Sequence, residues 1–592
     1  MSTGNTDRGQ WKSRMGFILA ASGSAVGLGN IWKFPYITGE NGGGLFVLIY
    51  LVCIALVGIP IMMAEIMIGR SAQKQPVVAF HKLQGKRTSW AGVGWLGVIA
   101  GFVILSYYIV VAGWAMDFTL KSVANFTGPI HDTAEVQAAE YRAETPVADM
   151  REMLIKRKAD HDSREEISQI RRHVRPSSWR TYQIYQTALQ AAGDSPEARE
   201  ALLEDDSLRK GVEEVEIILP DIEAAKTEQL DHARQYYSSR SNKEIRDEAE
   251  TVIRRNVIFD SVNKAFGEVA TDGWTSTFWA AMFMLITILI VAAGVGGGIE
   301  RACGRLMPTL FILILIMVVY GMFKPGFTEA VSFVFKPDPH KLKASGVLEA
   351  LGHAFFTLSL GMGAMITYGS YQKEKSGLLS QSVMIAVFDT AVALLACLMI
   401  FPITFSYGQA PAGGPGLVFK SMPLAFAEIG NGGILLAILF FGLVVFAALT
   451  SAISLLEVVA SYFIDERGWT RSKAAWVLGG VIFLFGIPSA FSSDPSFAMT
   501  CWAPSFGKSF FDTMDYLASN WMLPIGGLFI ALYAGWVMPK KLRAAEMEGT
   551  SPALVTGWLL LIRYVAPILV VLVLAQKVGI LDADELLFGL FN

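Results

Sequence analysis

Charged residues are scarce in this chain. Aspartate, glutamate, lysine and arginine make up 17% of its 592 residues, against about 25% in typical soluble proteins. Hydrophobic residues reach 53%, so much of the surface is expected to face lipid. The formal net charge is only −3, and no basic patch of the kind that binds nucleic acid is visible. The composition therefore predicts a membrane protein with no nucleic-acid partner.

Cysteine is equally scarce. Four cysteines lie far apart along the sequence, mostly in or beside apolar runs: Cys53, Cys303, Cys397 and Cys501. We therefore expect no structural disulfide in the polar part of the chain. No histidine and cysteine cluster or nucleophile arrangement indicates an enzyme. The tripeptide 507–509 resembles the end of a phosphate-binding loop, but the upstream glycine that such a loop requires is missing.

Apolar segments of bilayer length are abundant. Eleven candidates of roughly 17–30 residues are found, at 15–37, 42–69, 92–120, 274–296, 305–323, 347–371, 382–407, 432–463, 474–490, 513–537 and 557–576. Lysine and arginine are concentrated in the loops 70–90 and 538–556, on the same side as the amino terminus. Because positively charged loops stay in the cytoplasm, we expect a multi-pass protein of the plasma (inner) membrane with a cytoplasmic amino terminus.

The spans divide the chain into four parts: 1–124 with spans 1–3, 125–273 as a long polar insertion, 274–537 with spans 4–10, and 538–592 with a cytoplasmic loop and span 11. The insertion alternates charges and aliphatic residues at helical spacing, and its place after span 3 predicts an extracellular or periplasmic position. We expect two to four surface helices there. They serve either as a spacer or as a regulatory or partner-binding cap, and no protein partner can be assigned.

Two spans are interrupted by residues that disfavour a continuous helix. Span 1 contains SGSAVGLGNIWKFPY at 22–36, and span 6 contains GHAFFTLSLGMGA at 352–364. Peptide groups freed at such breaks are tolerated in a membrane only where they line a cavity. Spans 1 and 6 occupy corresponding positions in two five-span halves. The sequence thus predicts an all-α membrane protein built from inverted repeats, spans 1–5 and 6–10, with a binding site between the broken helices.

Five motifs resemble the neurotransmitter:sodium symporter family: GSAVGLGNIWKFP at 23–35, ENGGG at 40–44, GIERACGRLMPTLF at 298–311, FFTLSLGMGAMITYGSY at 355–371 and ALTSAIS at 448–454. The resemblance covers nearly everything outside 125–273, and eleven spans is similar to a bacterial branch of amino acid transporters. It implies a sodium-coupled secondary symporter that works by alternating access, with two sodium ions as its only cofactors.

The resemblance assigns two sets of oxygen ligands, which suit a hard cation. The first sodium site would use Ala25, Asn30, Thr357, Asp389 and the carboxylate of the substrate itself. The second would use Gly23, Val26, Ala447, Thr450 and Ser451. Considered alone, Thr450 and Ser451 could equally be a helix-packing pair.

The resemblance also places a substrate pocket at Ser24, Ala25, Gly27, Leu28, Gly29, Ile104, Tyr108, Phe356, Thr357, Ser359, Met362, Ser451 and Leu455. In monoamine carriers an aspartate stands at the position of Gly27. Its absence here implies that the substrate brings its own carboxylate, with Tyr108 donating to it and the neighbouring Tyr107 packing. The apolar lining predicts neutral, hydrophobic or aromatic α-amino acids.

Gates and chloride complete the expectations. Lys33 and Asp515 would close the outer side, and Arg8, Trp11, Asp465 and Tyr371 the cytoplasmic side. His353 would be a hydrogen-bonded spacer or a pH sensor. Chloride-dependent relatives carry a serine where this chain has Ala393, and Asp389 can supply the negative charge instead, so no chloride is expected. The alternatives are a non-transporting amino acid sensor and a sodium symporter for a zwitterion that is not an amino acid.

Overall fold

The computed structural model describes residues 9–85, 88–171, 174, 176–193, 195–338, 344–373, 377–406, 417–497, 507–578 and 580. All secondary-structure elements longer than one residue in these ranges are helices, as the sequence predicts. By their contacts the described residues form two compact units, one within 1–129 and 261–581 and the other within 130–260.

Before the insertion, the first unit contains α1 (Arg14–Ala25), α2 (Phe34–Glu40), α3 (Gly44–Cys53), α4 (Ile59–Ala72), α5 (Pro76–Gln84) and α6 (Ala91–Val123). Short π-helical stretches, Gly29–Lys33 and Ile54–Gly58, lead into α2 and α4. Span 1 is thus α1 and α2, span 2 is α3 and α4, and span 3 is α6.

After the insertion, the first unit contains α13 (Gly273–Ala292), α14 (Glu300–Met322), α15 (Phe327–Phe335), α16 (Ala344–Thr357), α17 (Ala364–Gly369), α18 (Leu378–Ser406), α19 (Met422–Ile429), α20 (Asn431–Arg467), α21 (Arg471–Ala490), α22 (Phe510–Leu517), α23 (Leu523–Leu532), α24 (Lys540–Glu546), α25 (Pro552–Leu560) and α26 (Ala566–Lys577). Further π-helical stretches are Val295–Ile299, Leu417–Ser421, Ala518–Met522, Tyr533–Val537 and Leu561–Val565.

In the described residues, nine helices are long and apolar enough to cross a membrane, and the bent pair α1 and α2 makes a tenth. The remaining predicted span, 347–371, is divided into α16 and α17 by six residues, 358–363. All eleven apolar segments that the sequence predicts are therefore helical, and the two predicted breaks fall in spans 1 and 6.

The insertion folds as α7 (Thr127–Glu144), α8 (Val147–Arg171), α9 (Pro176–Ala191), α10 (Pro196–Leu202), α11 (Asp206–Ser238) and α12 (Asn242–Ala270). The prediction of two to four helices is therefore too low. Proline marks two of the extra starts, because it is well tolerated in a first helical turn. The second unit has hydrophobic clusters of its own, one of which joins Leu154 on α8, Tyr237 on α11 and Ile245 on α12.

The break in span 1 is a bend of 51° between α1 and α2, and α1 ends where Val26 turns to an extended conformation. In span 6 the break contains three left-handed residues, Ser359, Gly361 and Gly363, with φ of 53°, 80° and 75°. A Cβ at Gly361 would lie 2.3 Å from the carbonyl oxygen of Leu523, so only glycine fits there. Helix α1 contacts α17 of span 6, and residues of both broken segments line one cavity, so the two breaks meet at one site.

Candidate functional site

The predicted substrate pocket is a small cavity of about 30 Å³ between the two breaks. It is lined by Ser24, Ala25, Gly27, Leu28, Gly29, Ile104, Tyr108, Phe356, Thr357, Ser359, Met362, Ser451 and Leu455. These are the thirteen residues that the resemblance places there. Span 1 and span 6 each contribute through their broken segment, and α6 and α20 supply the remaining walls.

One end of this cavity is polar. The Leu28 amide donates to the Tyr108 hydroxyl oxygen at 3.2 Å, and the Ser359 hydroxyl donates to the Ser24 carbonyl at 2.7 Å. A Cβ at Gly27 would lie 2.4 Å from Ser451 Oγ and 3.1 Å from Tyr108 Oη. Ser451 and Tyr108 therefore pack directly against the backbone of Gly27, which puts their hydroxyl groups and the Leu28 amide side by side and leaves no space for a side chain at position 27.

Two residues of the predicted first sodium site, Asn30 and Thr357, lie directly against a third, Asp389. One carboxylate oxygen, Oδ1, accepts from Asn30 Nδ2 at 2.7 Å and from Thr357 Oγ1 at 2.9 Å. The other, Oδ2, accepts from the Tyr50 hydroxyl at 3.3 Å. Ala25 is buried in the wall of the adjacent cavity. Three donors thus hold a fully buried carboxylate next to this cavity.

The residues of the predicted second sodium site also meet. Thr450 Oγ1 lies 3.0 Å from the Ala447 carbonyl oxygen and 3.4 Å from that of Val26. Ser451 Oγ lies 3.4 Å from the Gly23 carbonyl oxygen. Two hydroxyls on α20 therefore face carbonyl groups at the broken end of α1. Such a set of neutral oxygens is chemically suited to a monovalent cation.

A second cavity, of about 150 Å³, lies on the other side of the Phe356 ring, which lines both spaces. Lys33, Tyr36, Ile37, Leu348, Glu349, Gly352, His353, Phe356, Ser519, Asn520, Pro524 and Val573 surround it. The Lys33 ammonium lies 4.5 Å from the centre of the Phe356 ring. Phe356 therefore forms a wall shared by the two cavities, and Lys33 lies over its ring.

Lys33 and Asp515 do not form the predicted ion pair. Among the described residues no salt bridge within 4.0 Å joins them. Instead Asp515 accepts from the Tyr107 hydroxyl at 3.0 Å and from Ser519 Oγ at 2.9 Å. The prediction that Tyr107 only packs is therefore wrong, because α6 supplies a hydrogen-bond donor that reaches the acid on α22.

His353 is buried and stacks on the Phe34 ring with centroids 5.6 Å apart. The Tyr50 ring lies 5.7 Å away. Neither ring nitrogen of His353 has a hydrogen-bond partner among the described residues. The prediction of a hydrogen-bonded spacer is therefore wrong. The imidazole ring of His353 packs against the Phe34 and Tyr50 rings and lines the second cavity.

On the opposite side of the pocket, the segment before α1 is held by span 6. Trp11 Nε1 donates to the Tyr368 carbonyl at 2.8 Å, and the Trp11 and Tyr371 rings meet edge to face at 6.2 Å. Asp465 accepts from the Gln75 amide at 3.1 Å and lies 3.6 Å from the Lys74 ammonium. Arg8 lies outside the described residues.

Two charged residues on this side of the pocket were missed by the sequence reasoning. Glu457 is fully buried on α20, accepts from the Tyr371 hydroxyl, and pairs with Arg471 at 2.6 Å. An acid inside a membrane span and an arginine at the start of the next span are a recognisable signal, because such charges are costly unless they are paired.

Glu65 on α4 accepts a hydrogen bond from the Gly361 amide at 2.7 Å, so span 2 supports the break in span 6.

Comparisons with known proteins agree with this geometry. Residues 8–160 and 226–586 match the model of the Sodium:neurotransmitter symporter family. The match continues into the insertion on both sides, further than the resemblance of the motifs suggests. An uncharacterised sodium-dependent transporter of Bacillus subtilis, YhdH, is 29% identical in sequence. The match covers 97% of this chain and 98% of the length of YhdH.

Two further relatives have named ligands. The crystal structure of MhsT in complex with L-phenylalanine superposes on this chain with a TM-score of 0.69. The two sequences are 35% identical, and the match covers 96% of this chain and 99% of the MhsT chain. The sodium- and chloride-dependent taurine transporter of Bos taurus is 22% identical in sequence, over 71% of this chain and 54% of the length of that transporter. With two broken helices around a shared pocket, and with sodium-dependent transporters as its relatives over nearly its full length, the chain belongs to the Sodium:neurotransmitter symporter family.

Proposed function

We propose that this sodium-coupled transporter imports neutral, hydrophobic or aromatic α-amino acids by alternating access. The observation that carries the proposal is Gly27. Beside it lie the Leu28 amide and the Tyr108 hydroxyl, which suit a carboxylate, and no acidic side chain of the pocket can neutralise an amine. Ile104, Met362 and the other apolar lining residues favour a side chain without charge.

The first sodium site supports coupling between ion and substrate. Asp389 supplies one negative charge, and the substrate carboxylate supplies another on the pocket side of Ala25 and Thr357. A sodium ion bridging these groups raises the affinity for the amino acid, and by linkage the amino acid raises the affinity for sodium by the same factor. The second set of oxygens, around Thr450 and Ser451, accommodates a second sodium ion between α1 and α20.

We also propose that transport needs no chloride. Ala393 offers no hydroxyl to an anion, and the buried Asp389 carboxylate provides the charge in the same region, where Tyr50 donates to it. The positive-inside rule favours a cytoplasmic amino terminus in the plasma (inner) membrane and an extracellular or periplasmic insertion. Under that orientation, the cavity beyond Phe356 is the outer vestibule, and the Tyr107–Asp515 pair lies at the outer gate.

The test is uptake by the purified protein in lipid vesicles with an inward sodium gradient. Radiolabelled L-phenylalanine should accumulate, a screen of the twenty amino acids should show competition by large apolar ones, and a monoamine should not compete. Replacing chloride by gluconate should leave the rate unchanged, and a several-fold loss would refute chloride independence. Binding without accumulation would instead identify a sensor, and preferential uptake of taurine or betaine would identify another zwitterion as the substrate.

A matched pair of variants tests the second sodium site. Ser451 and Ser461 both carry buried hydroxyls on α20, but Ser451 faces the carbonyls of α1 and Ser461 donates to Val458 in its own helix. Ser451→Ala should raise the sodium concentration for half-maximal uptake about tenfold, as the loss of one ligand worth about 1.4 kcal/mol predicts. Ser461→Ala should not change it. Equal effects of the two variants would argue against the site.

A further inference from the structure

Trp114 on α6 is held by the last turn of α12, the helix that closes the polar insertion. The Phe266 ring meets the indole edge to face with centroids 5.6 Å apart. The indole Nε1 donates to Ser276 Oγ at 2.9 Å, and Ser276 Oγ donates to the Val269 carbonyl at 2.6 Å. Residues 261–270 of α12 belong to the same compact unit as the spans. Two independent contacts therefore fix Trp114 to the end of the insertion.

The same indole packs on Phe511, the second residue of α22. The two rings are nearly parallel, at an angle of 21° and a distance of 6.5 Å. Phe511 also meets the Tyr107 ring edge to face at 5.4 Å, and its amide donates to Ser492 Oγ at 2.9 Å. One ring on α22 therefore lies between two aromatic residues of α6.

Tyr107 donates to Asp515 at 3.0 Å. Asp515 is four residues beyond Phe511, so both side chains project from the same face of α22. Phe511 therefore links Trp114 to the face of α22 that carries Asp515.

We propose that the end of α12, residues 261–270, positions the Tyr107–Asp515 pair, with Phe266 and Trp114 as positioning residues, and so controls how readily the outer path opens. The proposal rests on the assignment of that pair to the outer gate under the proposed function. It gives the last turns of α12 a role inside the transport cycle.

The experiment measures the opening of the outer cavity directly. Asn520→Cys places a reporter thiol in the cavity wall, and its labelling by a membrane-impermeant maleimide is timed in the purified full-length protein with sodium, against protein that lacks the reporter. An aromatic contact of this kind is worth about a two- to tenfold shift in population. Phe266→Ala and Trp114→Phe should therefore speed labelling at least about twofold, and Phe266→Tyr should restore the original rate.

Phe259 provides a matched control, because it is a phenylalanine of the same helix whose ring is exposed. Phe259→Ala should leave the labelling rate unchanged. If Phe266→Ala labels at the rate of Phe259→Ala, the proposal is wrong. Should Phe266→Ala fail to fold, Phe266→Leu keeps apolar volume without the ring and is expected to show the same direction of change.

A second background tests whether the effect passes through the gate pair. In Tyr107→Phe the hydrogen bond to Asp515 is already lost, so adding Phe266→Ala should change labelling by less than about 1.5-fold, as expected for residues that act on one interaction. A full effect in this background would overturn the proposed route. Labelling needs no turnover, so it still decides the question if amino acid uptake fails, and the two failures are distinguishable.

Discussion

Adding a methyl group at Gly27 tests the central argument about the substrate pocket. The Cβ of Gly27→Ala would lie 2.4 Å from Ser451 Oγ, 3.1 Å from Tyr108 Oη and 3.3 Å from Ser451 Cβ. A Cβ cannot remain that close to another heavy atom, so Ser451 has to turn away. Its hydroxyl then leaves the carbonyl groups at the end of α1, including that of Gly23 at 3.4 Å.

The expected size of the effect follows from crowding in a closely packed region. An added methyl in such a site costs about 1–3 kcal/mol, which corresponds to roughly a 5- to 150-fold loss of affinity. Both ligands should be affected, because the methyl occupies space beside the amino acid carboxylate and displaces a sodium ligand. We therefore expect weaker phenylalanine binding and a higher sodium requirement in the same variant.

The assay is equilibrium binding of radiolabelled L-phenylalanine across a sodium titration. Gly442→Ala is the matched control, because Gly442 lies on α20, the helix of Ser451, and a Cβ there meets nothing within 4 Å. Gly442→Ala should bind like the unmodified protein. If Gly27→Ala keeps both affinities within about twofold of this control, a change of less than about 0.4 kcal/mol, then crowding at Gly27 does not limit the site and the argument for a self-supplied carboxylate fails.

Three further predictions follow from charged groups. Asp389→Asn should abolish uptake or make it chloride-dependent, and uptake that stays full in gluconate would contradict the role assigned to this carboxylate. Glu457→Gln removes the buried partner of the Arg471 guanidinium, so it should lower the free energy of unfolding by about 3–5 kcal/mol. Thermal unfolding measures this loss, and the double variant Glu457→Gln/Arg471→Gln should lose less stability. The hydrogen bonds from Ser496 lower the pKa of Asp494 below its ordinary value, so this carboxylate stabilises the folded state above the unfolded pKa. Asp494→Asn should therefore lower the melting temperature at pH 7, and the difference should vanish as the pH falls through the folded pKa; a difference that grows in acid would refute it.

The helical architecture was predictable because apolar length and glycine placement are local properties of the sequence. Bilayer-length runs identify the spans, and peptide groups freed at 22–36 and 352–364 have to find partners in the protein. The structure confirms the helices and both breaks. The placement of Asn30, Thr357 and Asp389 around one point was accessible only through the family resemblance, since nothing in the residue spacing relates positions more than 300 residues apart.

Side-chain pairing was the part that motifs predicted least well. Lys33 and Asp515 occupy positions where an ion pair is expected, yet Lys33 lies over the Phe356 ring and Asp515 accepts from Tyr107. The ammonium group of lysine, on its flexible side chain, can make a cation–π contact with an aromatic ring. The planar guanidinium of arginine is better suited to pairing with a carboxylate. A tyrosine on the neighbouring helix then competes for Asp515, and the sequence does not indicate which donor lies closer.

Under the proposed function, one buried carboxylate, that of Asp389, serves both ion binding and chloride independence. Its oxygens accept from Asn30, Thr357 and Tyr50, so the charge is solvated by fixed donors instead of water and stays beside the pocket. A mobile anion in the same place would have to bind and leave in each cycle. The fixed acid avoids that step, but its charge remains when sodium and substrate have left. The chain therefore needs donors from spans 1, 2 and 6 around Asp389, and the structure places one from each.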